Sequence, residues 1–334
     1  MKPATVLLTH SPSALANYYG ARALAALEAV ADVRRHASEE PWSVDTLAAA
    51  AQGCEIIVSD RRAEGSAELL ARLPELVAFS RCAVDIRNVD VDAASAQGIL
   101  VTQASAGFMA AVAEWVLGVM IDLSRGISAA MLQYRAGVQP GVRMGSELRG
   151  ATLGLIGYGQ IGGRLADLAL ALGMHVLVSD PHVKLASPAL RQVDLATLLA
   201  EADHVVCLAA ATAATENLMN AAAFAAMKPS AFFINASRGN LVDEAALLQA
   251  LDAGAIAGCA LDVGRAPDQM PSPALACHPR VIATPHIGGL TPPAIEHQAM
   301  ETVRQVTDLV QGRVPQGAVN ATRASRLQAF FKRP

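Results

Sequence analysis

Residues 153–162 read L-G-L-I-G-Y-G-Q-I-G, so that a run of apolar residues leads directly into the pattern Gly-x-Gly-x-x-Gly. Apolar residues then recur at helical spacing over residues 164–172, which predicts an amphipathic helix. In this setting Gly157 permits a tight turn, Gly159 lets backbone N–H groups approach a pyrophosphate, and Gly162 allows the helix to pack closely on the strand. The stretch therefore predicts a strand–turn–helix unit that binds a dinucleotide, with the pyrophosphate at the N-terminus of the helix.

An acidic residue follows where a dinucleotide site requires one. A second apolar run, His175–Ser179, leads into Asp180, and the motif expects a carboxylate about 20 residues after its glycines. A carboxylate at this place accepts hydrogen bonds from the adenosine ribose and repels a 2′-phosphate, which favours NAD over NADP. The alternative interpretation is a glycine-rich turn followed by an aspartate without such a function.

The rest of the chain alternates short apolar runs with helix-length stretches rich in alanine and leucine. Several of the runs lack polar alternation, which is typical of parallel strands covered on both faces. The connections between them are long enough for crossover helices, so the pattern predicts an α/β protein with doubly wound parallel sheets. The candidate strands are Val6–Thr9, Glu55–Ser59, Leu76–Ser80, Ile99–Thr102, Leu153–Gly157, His175–Ser179, His204–Leu208, Ala231–Asn235, Ala257–Leu261 and Val281–Thr284.

Two predicted helices mark candidate domain boundaries. Phe108–Leu123 has apolar residues at helical spacing and would carry the chain into a second domain, and a second amphipathic helix follows the sequence GGLTPP after Pro285. The segment Val138–Gly150 is interpreted as an extended arm, and the basic segment Arg323–Pro334 is interpreted as a surface tail.

The composition excludes several classes of protein. The chain has 334 residues, enough for two domains of roughly 150 residues each, and 53% of its residues are hydrophobic, which excludes intrinsic disorder. A net charge of −4 leaves no electrostatic footprint for nucleic acid. The longest uncharged stretch, Ala93–Ala113, is interrupted by too many polar residues for a membrane span. We therefore expect no nucleic-acid partner and no membrane partner.

The cysteines and histidines suggest a reducing compartment and no metal centre. The 5 cysteines are odd in number and form no Cys-x-x-Cys pair, which favours a cytoplasmic protein. No cluster of His, Cys and Asp occurs at metal-ligand spacing, so no metal is expected. Most histidines, among them His10 and His204, are interpreted as surface or strand-edge residues.

Three charged residues follow three of the candidate strands. Arg238 lies shortly after Ala231–Asn235, Asp262 directly follows Ala257–Leu261, and His286 lies just beyond Val281–Thr284. Because the carboxyl ends of parallel strands line the ligand crevice, we expect these side chains to converge there. Hydride transfer between a C2 hydroxyl and a nicotinamide needs an acid/base for the hydroxyl proton and a cation for the carboxylate. Histidine and arginine suit these two tasks.

With these residues in view, the sequence resembles the D-isomer-specific 2-hydroxyacid dehydrogenase family over roughly residues 55–310. Three blocks carry the resemblance: GLIGYGQIGGRLA with Asp180, MKPSAFFINASRGNLVDEAALLQAL, and ALDV followed by IATPHIGG. The resemblance implies that Arg238 binds the carboxylate and keto oxygen of the substrate and that His286 is the proton donor and acceptor. It also implies that Asp262 holds the nicotinamide carboxamide.

The resemblance further implies a two-domain architecture and a set of site residues. A flavodoxin-like catalytic domain, residues 1–103 plus 288–334, would carry an inserted Rossmann NAD-binding domain, residues 104–287. The catalytic residues would be Arg238, His286 and Asp268. The substrate-binding residues would be Val84, Asp85, Arg238 and His286. The cofactor-binding residues would be Gly157, Gly159, Gln160, Ile161, Gly162, Asp180, Ala209, Ala236, Ser237, Arg238, Asp262, His286 and Gly288.

This chain departs from the family pattern in three places. The family usually has a Glu just before a Pro in the block after the LDV aspartate, where it pairs with the His and raises its pKa. Here the run is one residue shorter and Ala266 precedes the Pro, so that Asp268 could replace the Glu only if the loop bends back. In the substrate loop Asp85 lies where the family has a Gly. The third departure is Phe108, at a place where a small or polar residue is usual.

The resulting prediction is an NAD-dependent oxidoreductase that acts on a small 2-hydroxy or 2-oxo acid and forms a homodimer. The helix Phe108–Leu123 and the arm Val138–Gly150 favour the homodimer, because the family commonly pairs its coenzyme domains through this region. The alternative is an NAD(H)-binding sensor or corepressor-like protein with little or no turnover, which the missing Glu favours and which Arg238 and His286 oppose. Formate-type oxidation is a third and weaker interpretation.

Overall fold

The structure is a computed structural model that describes residues 3–333, apart from the side chain of Asp268. The chain forms two compact units. The first comprises Met1–Phe108 and Pro292–Pro334, and the second comprises Met109–Thr291.

The first unit is built on a parallel sheet with the order β2-β1-β3-β4-β5, which is that of flavodoxin-like folds. Successive residues of β1 lie on opposite faces: Val6 and Leu8 pack with the helices of one face, and Leu7 packs with those of the other. The order of elements is β1 (Thr5–Leu8), α1 (Pro12–Tyr18), α2 (Ala21–Glu28), β2 (Asp32–Arg35), α3 (Val44–Ala50), β3 (Ile56–Ser59), α4 (Ala67–Ala71), β4 (Ala78–Arg81), α5 (Val91–Ala96) and β5 (Leu100–Gln103).

The second unit is a seven-stranded parallel sheet with the order β12-β11-β10-β9-β6-β7-β8. The strand order reverses between β6 and β9, which is the switch point at which doubly wound sheets bind ligands. Its elements are α6 (Met109–Arg125), α7 (Ile127–Arg135), β6 (Thr152–Ile156), α8 (Gln160–Ala171), β7 (His175–Ser179), β8 (Leu190–Gln192), α9 (Leu195–Glu201), β9 (His204–Cys207), α10 (Ala221–Ala225), β10 (Phe232–Asn235), α11 (Glu244–Asp252), β11 (Gly258–Leu261), α12 (Pro273–Ala276) and β12 (Val281–Ala283).

Polar N-caps begin several of these helices. The side chain of Ser43 accepts the N–H of Thr46, whose hydroxyl in turn accepts the N–H of Ser43, so that a capping box starts α3. Asp194 and Asp243 cap α9 and α11 in the simpler way, each accepting one backbone N–H of the first turn. These caps fix where the crossover helices begin.

The chain returns to the first unit through α13 (Pro292–Val310) and ends with α14 (Arg326–Phe331). Leu327 and Phe330 of α14 are buried in the core beside the strands of that unit. The side chain of Asn320 donates to the carbonyl of Ile99 and accepts the N–H of Val101, which ties the segment to β5. The expectation of a surface tail at Arg323–Pro334 is therefore wrong for the part that the structure describes.

All ten strands expected from the apolar runs form, and the α/β, doubly wound fold class is confirmed. The sequence pattern misses two strands, β2 and β8. Both lie at sheet edges, and their residues D-V-R-R and L-R-Q are largely exposed. Because an edge strand is covered less than a central one, it needs no apolar run, and the periodicity that identifies the other strands is missing.

Within residues 3–333 no single helix is long and apolar enough to cross a membrane. The pair α6 and α7 passes the same test of length and composition only when both are counted together, and the chain bends by 68° between them.

Candidate active site

The glycine motif of the second unit lies at the carboxyl end of β6. Gly157 has a φ of 92°, and a Cβ atom there would come within 2.6 Å of the backbone nitrogen of Ala209, which follows β9. A Cβ atom at Gly162 would come within 2.8 Å of the carbonyl oxygen of Gly157. Both positions therefore exclude larger residues, because the turn is left-handed at the first and α8 packs directly on the strand end at the second.

The N-terminus of α8 is suited to an anion. The helix begins at Gln160 and Ile161, and the N-cap residue Gly159 has no side chain to accept their N–H groups. A Cβ atom at Gly159 would meet no atom within 4 Å, so the space above the turn is open. Unsatisfied N–H groups and the helix dipole favour a phosphate group at such a place. The residues present fit the pyrophosphate of a dinucleotide.

Asp180, at the end of β7, is held against the same turn. Its carboxylate accepts the N–H of Tyr158 at 2.8 Å and the N–H of His182 at 2.8 Å. Two backbone donors therefore fix the carboxylate beside the glycine turn, one on each oxygen. The remaining lone pairs can accept hydrogen bonds from ribose hydroxyls, whereas a phosphate group at the same place would meet a negative charge.

The residues after β10 form a tight turn that carries Arg238. The side chain of Asn235, the last residue of β10, accepts the N–H of Ser237 at 3.1 Å and donates to the carbonyl of Arg238 at 3.0 Å. The hydroxyl of Ser237 donates to the carbonyl of Ala209 at 2.6 Å, which joins this turn to the end of β9. The Arg238 guanidinium donates to the carbonyl of Ser237, and the side chain is half-buried. Ala236 lies in the same turn.

Asp262, at the end of β11, binds the loop that carries His286. One carboxylate oxygen of Asp262 accepts the hydroxyl of Thr284 at 2.6 Å and the N–H of Ile287 at 2.8 Å, and the other accepts the N–H of Gly288 at 2.7 Å. The Asp262 side chain is buried, and His286 has a φ of 57°, in the left-handed region that residues other than glycine rarely occupy. The structure therefore brings Asp262, His286 and Gly288 together.

The loop after β11 turns back on itself. The N–H of Gly264 donates to the carbonyl of Gln269 at 2.8 Å, and a Cβ atom at Gly239 would collide with the backbone of Gly264. The turns after β10 and β11 thus touch through their backbones, and neither position has room for a side chain. Asp268 lies in this loop, but its side chain is outside the described residues.

A neighbouring arginine joins these loops through hydrogen bonds. The guanidinium of Arg265 donates to Glu216 at 2.8 Å, to the side chain of Asn217 at 2.6 Å, and to the carbonyl groups of Asn240 and Val242. The hydrogen bond from Arg265 lowers the pKa of Glu216, with a further contribution from Asn240. No sequence motif identifies Arg265, since its partners come from two loops that are separate from its own.

The predicted substrate loop belongs to the first unit, where it follows β4. Val84 and Asp85 are half-buried, and the Asp85 carboxylate accepts hydrogen bonds from the Arg87 guanidinium, the shortest at 2.6 Å. This hydrogen bond raises the pKa of Arg87. Arg81 is buried beneath the loop and donates to the side chain of Asn88 and to the carbonyl of Ser59. The negative charge of Asp85 is therefore paired locally.

Metal-ligating side chains, cysteines and buried histidines are other groups of the chain that could carry chemistry. Among the described residues no group of three or more His, Cys, Asp and Glu side chains could hold a metal ion. The five cysteines are free, and all but Cys277 are buried. His10 and His204 are both buried, so their interpretation as surface or strand-edge residues is wrong in respect of burial.

Comparison with known proteins agrees with this geometry. Residues 117–288 match the sequence model described as D-isomer specific 2-hydroxyacid dehydrogenase, NAD binding domain. The (S)-sulfolactate dehydrogenase of Chromohalobacter salexigens is 37% identical over 289 residues, which cover 84% of this chain and 92% of that relative. The crystal structure of the TT0316 protein from Thermus thermophilus superposes with a TM-score of 0.84 at 30% identity, covering 94% of this chain and 99% of the other.

A second relative is longer. The D-3-phosphoglycerate dehydrogenase of Synechocystis sp. is 36% identical over 250 residues, or 74% of this chain, but these cover only 45% of that relative. The chain thus spans about half the length of this longer protein, while it matches the sulfolactate dehydrogenase almost end to end. The chain therefore belongs to the D-isomer-specific 2-hydroxyacid dehydrogenase family, and it is an NAD-dependent enzyme that transfers hydride between the cofactor and 2-hydroxy or 2-oxo acids.

Proposed function

We propose that Arg238 and His286 carry out the reaction on a small 2-hydroxy or 2-oxo acid. The observation that supports this proposal most strongly is the loop of residues 284–288, which Asp262 fixes through three hydrogen bonds at the carboxyl end of the sheet. The left-handed conformation of His286 costs conformational free energy, which other interactions of the fold must offset. Backbone strain of this kind is typical of functional sites.

NAD supplies the hydride acceptor in oxidation and, in its reduced form, the hydride donor in reduction. In the direction of reduction, Arg238 binds the carboxylate of the 2-oxo acid with its guanidinium fork and polarises the keto oxygen. His286 gives a proton to that oxygen as C2 receives the hydride, so the product is a 2-hydroxy acid and a neutral imidazole. Oxidation runs the same steps backwards, and His286 then takes the hydroxyl proton.

The cofactor residues divide into three groups in this proposal. Gly157, Gly159, Gln160, Ile161 and Gly162 receive the pyrophosphate, and Asp180 receives the adenosine ribose. The turn of Ala236 and Ser237, with Ala209 beside it, lines the nicotinamide ribose. Asp262, His286 and Gly288 lie at the nicotinamide end.

Asp268 is the candidate partner of His286 in place of the missing Glu. The backbone of its loop turns back, as the Gly264 to Gln269 hydrogen bond requires, which is the condition that the substitution needs. In this proposal Asp268 stabilises the protonated imidazole and so keeps His286 able to donate a proton near neutral pH. The variant Asp268→Asn tests this through the pH profile of reduction, which should fall off at lower pH than in the unaltered protein.

In the first unit, the loop after β4 is the proposed substrate-binding element. In this proposal residues 1–103 and 288–334 form the catalytic domain, residues 104–287 form the cofactor domain, and the backbone at Val84 and Asp85 receives the substrate carboxylate. Arg87 offsets the charge of Asp85, which would otherwise repel an acid.

We also propose a homodimer in a reducing, cytoplasmic compartment. Large apolar side chains are exposed along α7 and the arm that follows it, and exposed apolar side chains in such number are typical of protein interfaces. These side chains are Ile127, Met131, Leu132, Tyr134, Val138, Val142 and Met144. The free thiols support the reducing compartment.

A panel of 2-oxo acids with NADH tests the proposal. The panel should contain pyruvate and glyoxylate, together with the 3-sulfonate and 3-phosphate acids that the names of the two relatives suggest. We expect oxidation of NADH with at least one acid, a loss of kcat/KM of at least about 100-fold in His286→Ala, and a loss in Arg238→Lys, which keeps the charge but removes the fork. Tight NADH binding without turnover would instead support a sensor or corepressor-like protein.

A further inference from the structure

His286 lies in a backbone conformation that its own residue type does not favour. Its φ is 57°, in the left-handed region, and the N–H of His286 donates to the carbonyl of Thr284 at 2.9 Å. A residue other than glycine stays in such a conformation only where the surrounding structure imposes it. The direction of the imidazole therefore depends on what holds the neighbouring residues.

The groups that hold this loop converge on one side chain. Asp262 accepts hydrogen bonds from Thr284, two residues before His286, and from Ile287 and Gly288, the two residues after it. The three distances lie between 2.6 and 2.8 Å, which is typical of donors to a charged carboxylate. The donors thus fix the backbone on both sides of His286.

The packing leaves little freedom in this arrangement. Asp262 is 4% exposed, and a Cβ atom at Gly288 would come within 2.7 Å of one of its carboxylate oxygens. The backbone N–H of Asp262 donates to the carbonyl of Asn235, and that of Thr284 donates to Leu261. The carboxylate is therefore part of the sheet edge, while the loop that it binds carries the proposed acid/base.

We propose that Asp262 is the positioning residue for His286, and that Thr284 is required for the same purpose. The carboxylate holds the loop of residues 284–288 so that the imidazole faces the C2 oxygen of the substrate. This role differs from binding the nicotinamide carboxamide. For that contact, one lone pair remains on the Asp262 oxygen that accepts the N–H of Gly288. The inference rests on the proposed role of His286 as acid/base.

Thr284 offers the cleanest test, because its hydroxyl binds Asp262 and its side chain has no part in the proposed cofactor or substrate contacts. Thr284→Val removes the hydroxyl while keeping the shape, and Thr284→Ser keeps the hydroxyl and serves as the matched control. We expect Thr284→Val to lower kcat for 2-oxo-acid reduction about tenfold, equal to about 1.4 kcal/mol. Thr284→Ser should stay within about twofold of the unaltered enzyme on the same scale.

Two further readouts separate positioning from a general loss of structure or of cofactor binding. The Kd for NADH of Thr284→Val should change by less than about twofold, and its solvent deuterium isotope effect on kcat should increase, because proton transfer from a misplaced imidazole becomes slower. Asp262→Asn, which replaces one acceptor oxygen by an NH₂ group, should lose more of kcat than Thr284→Val does. Thr284→Ala takes the place of the Val variant if that variant is insoluble.

Unchanged kcat in Thr284→Val would overturn the inference, and so would a loss that is matched by an equal loss of NADH affinity. Failure of the underlying proposal has another signature. If the unaltered protein reduces no 2-oxo acid, or if His286→Ala stays active, the assignment of His286 is wrong. If the unaltered protein is active and His286→Ala is not, but Thr284→Val is unaffected, only the role of Asp262 is wrong.

Discussion

Mild acid should destabilise both units through one buried histidine in each. Burial lowers the pKa of His10 to about 4; the Arg81 charge acts in the same direction, and Asp60 opposes it. Burial likewise lowers the pKa of His204 to about 4, against a smaller opposing effect of Asp203. Each of the two histidines is 2% exposed, and its Nδ1 atom has no hydrogen-bond partner among the described residues.

The sign follows from proton linkage. A histidine with an ordinary pKa of about 6.5 in the unfolded chain takes up a proton on unfolding wherever the folded chain keeps it neutral. The stabilising contribution is therefore complete above pH 6.5 or so, and it is lost as the pH falls from about 6.5 towards about 4. Between about pH 7.5 and about pH 5.5, each histidine should remove about 1.4 kcal/mol from the free energy of unfolding.

Urea denaturation at these two pH values measures the effect. The chain has 2 tryptophans, Trp42 in the first unit and Trp115 in the second, so that Trp→Phe variants report on each unit separately by fluorescence. His10→Gln should reduce the pH dependence of the first unit by about 1.4 kcal/mol and leave that of the second unchanged. His204→Gln should do the reverse.

For each variant, the free energy of unfolding at the lower pH is subtracted from that at the higher pH. This difference is compared between variants, since each substitution also changes the stability at neutral pH. Because His36 stacks on Trp42 with 3.9 Å between the ring centroids and can affect its emission, transition midpoints rather than amplitudes are compared. If both variants kept the pH dependence of the unaltered chain, the reasoning would be refuted.

Three further outcomes are expected. Asp180→Ala should weaken the preference for NADH over NADPH, because it removes the carboxylate that repels a 2′-phosphate. Titration with each cofactor measures the two affinities. Tighter binding of NADPH than of NADH by the unaltered protein would contradict this expectation. Phe330→Ala should cost about 3–5 kcal/mol of the first unit's unfolding free energy, whereas the exposed neighbour Gln328→Ala should leave it within about 0.5 kcal/mol. Sedimentation at micromolar concentration should give a dimer, and a mass near 34.6 kDa would exclude one.

Much of the fold can be predicted from this sequence because its central strands are apolar and its nucleotide turn is marked by glycines. The edge strands β2 and β8 have neither signal. The same limit applies to α14, since the basic residues around Leu327 and Phe330 suggest solvent, while the buried contacts of these two side chains come from strands far away in the sequence.

The candidate site shows a similar division. Arg238, Asp262 and His286 can be found from the sequence because each follows a strand that is easy to identify. What the sequence does not reveal is that Asp262 binds the backbone around His286, or that Arg265 joins three loops. Such contacts depend on the detailed course of the turns. Thr284, a single threonine at the end of a short strand, has no signal that a motif could report.

The burial of His10 and His204 is missed for a related reason. A histidine at a strand end is usually solvated, and only the packing of neighbouring rings, such as Tyr19 on His10 and Phe232 on His204, removes it from water. In each pair the two residues are separated in the sequence and belong to no recognisable motif, so the sequence does not predict their contact.

The central claim is that this site transfers hydride between NAD and C2 of a 2-hydroxy or 2-oxo acid. A single-turnover reaction with NADH deuterated at the transferable C4 position, followed by mass analysis of the acid, tests it directly. The account predicts one deuterium at C2 of a D-2-hydroxy acid for each NADH oxidised, and transfer at least about 100-fold slower in His286→Ala. NADH that binds tightly but transfers no deuterium to any acid of the panel would contradict the account.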